Sequence, residues 1–230
     1  MSLFPIVAPY TLESFDVSYL TTGSKETDVS DPLTFSSMSF GAASGSRVII
    51  ACLGNFNGNY RDQTLATMTI GGVSATSRVY LNINSITQVW IWTAPVPTGT
   101  SGDVVVDWDD APNWDMTTFC SLYRMVAGTA VPSDTTTDNA TTSPAPTIDC
   151  VAGGVIIGAA AKARPPAYKN TLSASSQAFA STQTGLTVGG SWASGLFTPT
   201  ALNEDNEVFG TNGISGSHRA AYVAAAFDPA

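Results

Sequence analysis

The chain has 230 residues, of which 43% are hydrophobic and only 12% charged, and its formal net charge is -9. Nine Lys+Arg against 18 Asp+Glu leave few cations to displace the counterions around phosphate, so nucleic acid is not an expected partner. A single histidine, His218, excludes multi-histidine metal sites, and three scattered cysteines without a Cys-x-x-Cys pair exclude a zinc ribbon.

The chain opens with Leu3-Phe4-Pro5-Ile6-Val7-Ala8-Pro9-Tyr10. Two prolines hold this arm extended and rule out a helix, while Leu3, Phe4, Ile6, Val7 and Tyr10 offer large apolar side chains. Two destinations fit residues 1–14: docking on a neighbouring subunit, or an edge strand on the protein's own sheet. Lacking Lys and Arg, the opening stretch is not a secretory signal, and synthesis in the cytoplasm is expected.

From there on, β-branched and aromatic runs alternate with Gly, Ser, Asn, Asp and Pro. Strands are predicted over Phe15–Thr21, Leu33–Phe40, Ser46–Leu53, Leu65–Ile70, Thr76–Ile83 and Ile86–Thr93. Further strands are predicted over Asp103–Trp108, Thr117–Val126, Pro146–Cys150, Gly154–Lys162, Gly185–Val188 and Arg219–Phe227. In Leu33–Phe40 and in Gln88-Val89-Trp90-Ile91-Trp92 one side chain in two can face a core, and Trp90 and Trp92 share that face. Arg47–Leu53 and Gly154–Ile157 are apolar on both faces and read as central strands covered on both sides. Gly71-Gly72 between two such runs signals a tight hairpin. Ser133–Pro146 reads as a crossover loop, and Gly189–Gly216, with the acidic run Asn203–Glu207, as long loops. Cys52, Cys120 and Cys150 each lie in or beside an apolar run and read as buried free thiols. The longest small-apolar run, Gly154–Ala161, is far short of the roughly 20 residues of a membrane-spanning helix.

The pattern predicts an all-β fold: a single antiparallel β-sandwich, jelly-roll-like, over residues 15–230, preceded by the extended arm. No helix is long enough to make βαβ crossovers.

Several segments resemble a β-sandwich module of tailed-phage virion proteins, found in head decoration proteins, head spikes and tail fibres and in gene transfer agents. They are Thr67-Met68-Thr69-Ile70-Gly71-Gly72-Val73-Ser74-Ala75-Thr76, Ala94-Pro95-Val96-Pro97-Thr98-Gly99-Thr100-Ser101-Gly102-Asp103-Val104-Val105-Val106, Cys150-Val151-Ala152-Gly153-Gly154-Val155-Ile156-Ile157-Gly158 and the closing Ala220–Phe227. The resemblance spans roughly residues 15–228 and implies a non-enzymatic virion structural protein, a capsid-decoration or head-spike subunit. Its implied partners are the major capsid protein or another virion protein and further copies of itself, a trimer being the family expectation. The alternative it implies is a receptor-binding module of a fibre or spike that recognises host polysaccharide. It supplies no catalytic residue and no cofactor.

The residues themselves offer little chemistry. His218 begins the last strand, and no Gly-x-Ser-x-Gly elbow accompanies it, so a serine hydrolase is not expected. The densest acidic group is Asp107-Trp108-Asp109-Asp110-Ala111-Pro112-Asn113-Trp114-Asp115. On a strand Asp107 and Asp109 share a face, with Trp108 opposite. Four readings apply: a solvated loop with Trp108 and Trp114 packing inward, a sugar cradle, a calcium site, or paired catalytic carboxylates. The candidate glycan contacts are Asp107, Trp108, Asp109, Asp110, Asn113 and Trp114.

Overall fold

A computed structural model describes residues 13–25, 31–57, 65–83, 87–109, 116–140, 147–163, 171–174, 177–178, 181–186, 190–197, 204–212 and 220–230. The arm residues Leu3, Phe4, Ile6, Val7 and Tyr10 lie outside them, as do Asp110, Asn113, Trp114 and His218. The described residues form strands and turns and no helix.

The first half of the chain supplies β1 (Asp16–Lys25), β2 (Leu33–Ser39), β3 (Val48–Asn57), β4 (Leu65–Ile70) and β5 (Val73–Ser74). It continues with β6 (Thr76–Ile83), β7 (Thr87–Pro95), β8 (Ser101–Trp108) and β9 (Met116–Val126). These build a five-stranded sheet in the order β1-β9-β3-β7-β6 and a four-stranded sheet in the order β2-β8-β4-β5. That is the strand order of a jelly roll, with β6 added at one edge. Between β5 and β6 the chain crosses from one sheet to the other at Ala75, whose N–H donates to Met68 C=O at 2.9 Å.

The second half supplies β10 (Asp134–Ala140), β11 (Thr147–Cys150), β12 (Val155–Ala163), β13 (Thr171–Ala174) and β14 (Gln177–Ala178). Then follow β15 (Ser181–Leu186), β16 (Gly190–Phe197), β17 (Glu204–Asn212) and β18 (Ala220–Phe227). They form sheets ordered β10-β18-β12-β16-β15 and β11-β17-β13-β14. Among the described residues all strand pairs are antiparallel, and none joins a strand of one half to a strand of the other.

The antiparallel all-β architecture is as the sequence implies, but the layering is richer than a two-layered shell. The sheet of β1-β9-β3-β7-β6 is covered on both faces. On one face Ile49, Ala51, Leu53, Trp90 and Trp92 pack with Leu33, Phe35, Val104 and Val106 of the four-stranded sheet. On the other, Val48, Ile50, Cys52, Val89 and Ile91 pack with Val155, Ile157, Ala159, Val223 and Ala225 of the second half. That explains why β3 and β7 are apolar on both sides: each strand separates two cores.

Two stretches read as loops carry strands. Residues 134–140 form β10, an edge strand on β18, where the charged side chains of Asp134 and Asp138 discourage further strand pairing. Residues 190–197 and 204–212 form β16 and β17. Their Gly, Ser, Asn and Glu content has low intrinsic strand preference; pairing with β12 and β15, and with β11 and β13, overrides it.

Candidate functional site

The two ends of the first sheet pair differ in character. At one end the strand termini bracket residues 26–30, 58–64, 84–86 and 110–115, which lie outside the described set. Here β8 delivers the acidic segment. Its alternation places Val104, Val106 and Trp108 inward and Asp103, Asp107 and Asp109 outward. Trp108 is 3% exposed and its ring meets Trp90 edge-on, with centroids 6.0 Å apart. Trp90 in turn stacks on half-exposed Tyr80 at 4.8 Å. Trp108 is therefore a core residue and offers no face to a ligand. The carboxylates of Asp107 and Asp109 are exposed, and Thr67 Oγ1 lies 3.5 Å from Asp107 Oδ2.

Beneath this end, on the same sheet face as Trp90, lies a buried polar group. Asn55 Nδ2 donates to Gln88 Oε1 at 3.3 Å, and Thr118 Oγ1 donates to Asn55 Oδ1 at 3.4 Å. Polar side chains in a core are tolerated when they satisfy one another, and these do so across three adjacent strands.

The opposite end is a cap with a cleft of about 390 Å³. Its walls are the β4–β5 hairpin and the connector from Val96 to Asp103. These are two of the segments that carry the family resemblance, brought side by side. The Gly71-Gly72 turn has φ of 59° and 78°, the left-handed conformation that a tight hairpin demands. Phe40 forms the floor. A Cβ on Gly71 would lie 2.8 Å from the Phe40 ring and one on Gly102 would lie 2.7 Å from it, so both glycines are required for the ring to lie flat against the backbone. Asp103 anchors a bulge in β2, its Oδ1 accepting the N–H of Ser37 at 2.9 Å. The bulge lets Leu33 and Phe35 face the same core as Met38 and Phe40 despite the broken alternation.

What braces the cap is Arg47, 1% exposed, which in the sequence stands only as the head of an apolar strand. Its guanidinium spends all five N–H donors on main-chain carbonyls. Nε donates to Val96 at 2.5 Å, Nη1 to Phe40 at 3.2 Å and Gly41 at 3.1 Å, and Nη2 to Thr98 at 2.6 Å and Gly99 at 2.8 Å. Burial, with a smaller push from Arg124, lowers its pKa, but arginine starts so high that it stays charged. The signal that could have flagged it is a lone cation heading a run otherwise apolar on both faces.

The cap can orient a ligand or partner through backbone and hydroxyl groups, but it holds no nucleophile paired with a base. No family model, curated protein or solved structure matches the chain.

Proposed function

We propose that the protein is a non-enzymatic structural component of a tailed-phage virion: a capsid-decoration or head-spike subunit docking on the major capsid protein or on copies of itself. The observation that carries this reading is the cap. Two segments of the resemblance, some 25 residues apart in the chain, meet there as one Arg47-braced surface whose shape depends on Gly71 and Gly102. Residues that set shape and not reactivity suit a protein whose work is to hold neighbours. Jelly rolls serve widely in viral capsid and lectin domains, which is compatible with this role without dictating it. On this reading the apolar arm extends the interface, and the oligomer is a trimer by family expectation. Removing residues 1–12 should lower the copy number on purified particles while circular dichroism of the free protein stays unchanged. Full incorporation of the truncated chain would remove the arm from the interface.

The second reading, recognition of host polysaccharide by a fibre or spike module, draws on exposed Asp107 and Asp109 leading into the segment with Asn113 and Trp114. Glycan-array binding that Trp114→Ala abolishes, with folding intact, would favour it over decoration; no binding by the native protein would dismiss it.

A further inference from the structure

The sheet orders of the two halves are the same list displaced. Strands β1-β9-β3-β7-β6 recur as β10-β18-β12-β16-β15, and β2-β8-β4-β5 recur as β11-β17-β13-β14, every label rising by nine. Local details repeat as well. A turn closed by Arg47 N–H to Ser44 C=O at 3.1 Å precedes β3, and one closed by Gly154 N–H to Val151 C=O at 2.9 Å precedes β12. Each turn feeds the tripeptide Val-Ile-Ile: Val48-Ile49-Ile50 and Val155-Ile156-Ile157. Register follows suit, with Val48 opposite Met125 of β9 and Val155 opposite Phe227 of β18. In both tripeptides the first and third residues face the layer between the halves, and the middle one turns away from it.

We propose that residues 13–126 and 134–230 are two copies of one nine-stranded module, and that the sheet face on which they pack is a self-association surface whose fitting partner is a second copy of the module. The chain is in effect a dimer written as one polypeptide. Corresponding sheet faces meet with an offset: β3 lies against β12, while β6 and β7 lie against β18. The segments that follow β9 and β18 also hold each other. Gly128 bridges Pro229, Thr129 N–H donates to Asp228 C=O at 3.3 Å, and Ala230 N–H donates to Ala127 C=O at 2.8 Å. Nothing else joins the modules covalently except residues 127–133, where Val131 is 60% exposed.

The test begins with the full-length protein carrying a protease site between Val131 and Pro132. After cutting, the two pieces are expected to stay together as one particle of unchanged mass and near-ultraviolet circular dichroism. Cycling the cut protein through urea and back should then yield, by native mass spectrometry, N-terminal pieces paired with each other beside the native pairing. Ile91→Glu, a charge on the packing face, should abolish that homotypic pair while the uncut variant keeps its strand signal. Pieces that part on cutting, that refold only as the native pair, or that pair despite Ile91→Glu would each overturn the proposal.

Discussion

Replacing Arg47 by Met keeps the aliphatic stem and removes the five donors. Of the five carbonyls, those of Val96 and Phe40 are buried; the other three are partly exposed and can turn to water. A buried acceptor left without a partner costs about 1–3 kcal/mol, so two of them cost roughly 2–6 kcal/mol. Part of that is returned, because a buried charge no longer has to be kept out of water. A net loss of about 3 kcal/mol is expected, which at about 2–4 °C per kcal/mol for a chain of this size lowers Tm by roughly 6–12 °C. Arg47→Lys should also destabilise, since an ammonium has three donors and no planar fork to span carbonyls on two loops. Urea unfolding followed by tryptophan fluorescence measures the loss. Amide exchange localises it: residues 96–103 should exchange faster in both variants, while residues 155–161 keep their protection. An Arg47→Met protein as stable as the parent would show that the carbonyls are satisfied without the guanidinium, and the brace would be no brace.

Gly71→Ala should cost about 1–3 kcal/mol through its left-handed φ and its approach to Phe40, whereas Gly72→Asn, with open space around it and a residue that tolerates that φ, should cost little; urea midpoints compare them. Burial pushes the Cys52 thiol well above its ordinary pKa and that of Cys120 up to about 12, so at pH 8 neither should react with a thiol reagent until the protein unfolds. Hydroxyl hydrogen bonds from Ser44 and Ser46 hold the Glu13 carboxyl below its usual pKa. A depressed folded value means that this contact favours folding above the unfolded pKa and is lost as pH falls through the folded one. An NMR titration should show Glu13 titrating below the ordinary carboxylate range, and the double substitution Ser44→Ala, Ser46→Ala should return it there.

Much of the strand layout is legible because the residues that make it are β-branched or aromatic. The predicted bounds of Leu65–Ile70 and Thr76–Ile83 are those observed, and Trp90 and Trp92 are core residues as their shared face implies. The acidic segment is half legible: alternation places Asp107 and Asp109 outward and Trp108 inward, but no periodicity reveals that Trp108 closes an aromatic stack with Trp90 and Tyr80. Strands β10, β16 and β17 are hidden because Asp, Asn, Gly and Ser interrupt their β-favouring residues and become strand only when a neighbour supplies the ladder. Arg47 is hidden for a related reason. Its acceptors come from residues 40–41 and 96–99, and a cation satisfied wholly by distant backbone leaves no side-chain partner to find in the sequence.

The repeat is the least legible feature, and the packing between the modules shows why. A strand apolar on both faces demands a layer on each side, and β7 is buried from Thr87 through Ala94. One jelly roll covers only one face of its five-stranded sheet, so the second module is required for the first to bury its apolar residues. On the second module the layer includes Ala159, Ala161, Ala221 and Ala225 beside Val155, Ile157 and Val223, whereas the first contributes Val48, Ile50, Val89 and Ile91. Both faces stay apolar while individual residues differ, so the packing survives where the sequence likeness does not. Elsewhere in the layer bulk is retained: Tyr123, buried with its phenol pKa pushed up, reaches across to donate to Ser194 Oγ at 2.8 Å. That hydrogen bond fixes how one module sits on the other, because sliding the sheets would strand a buried hydroxyl on each side.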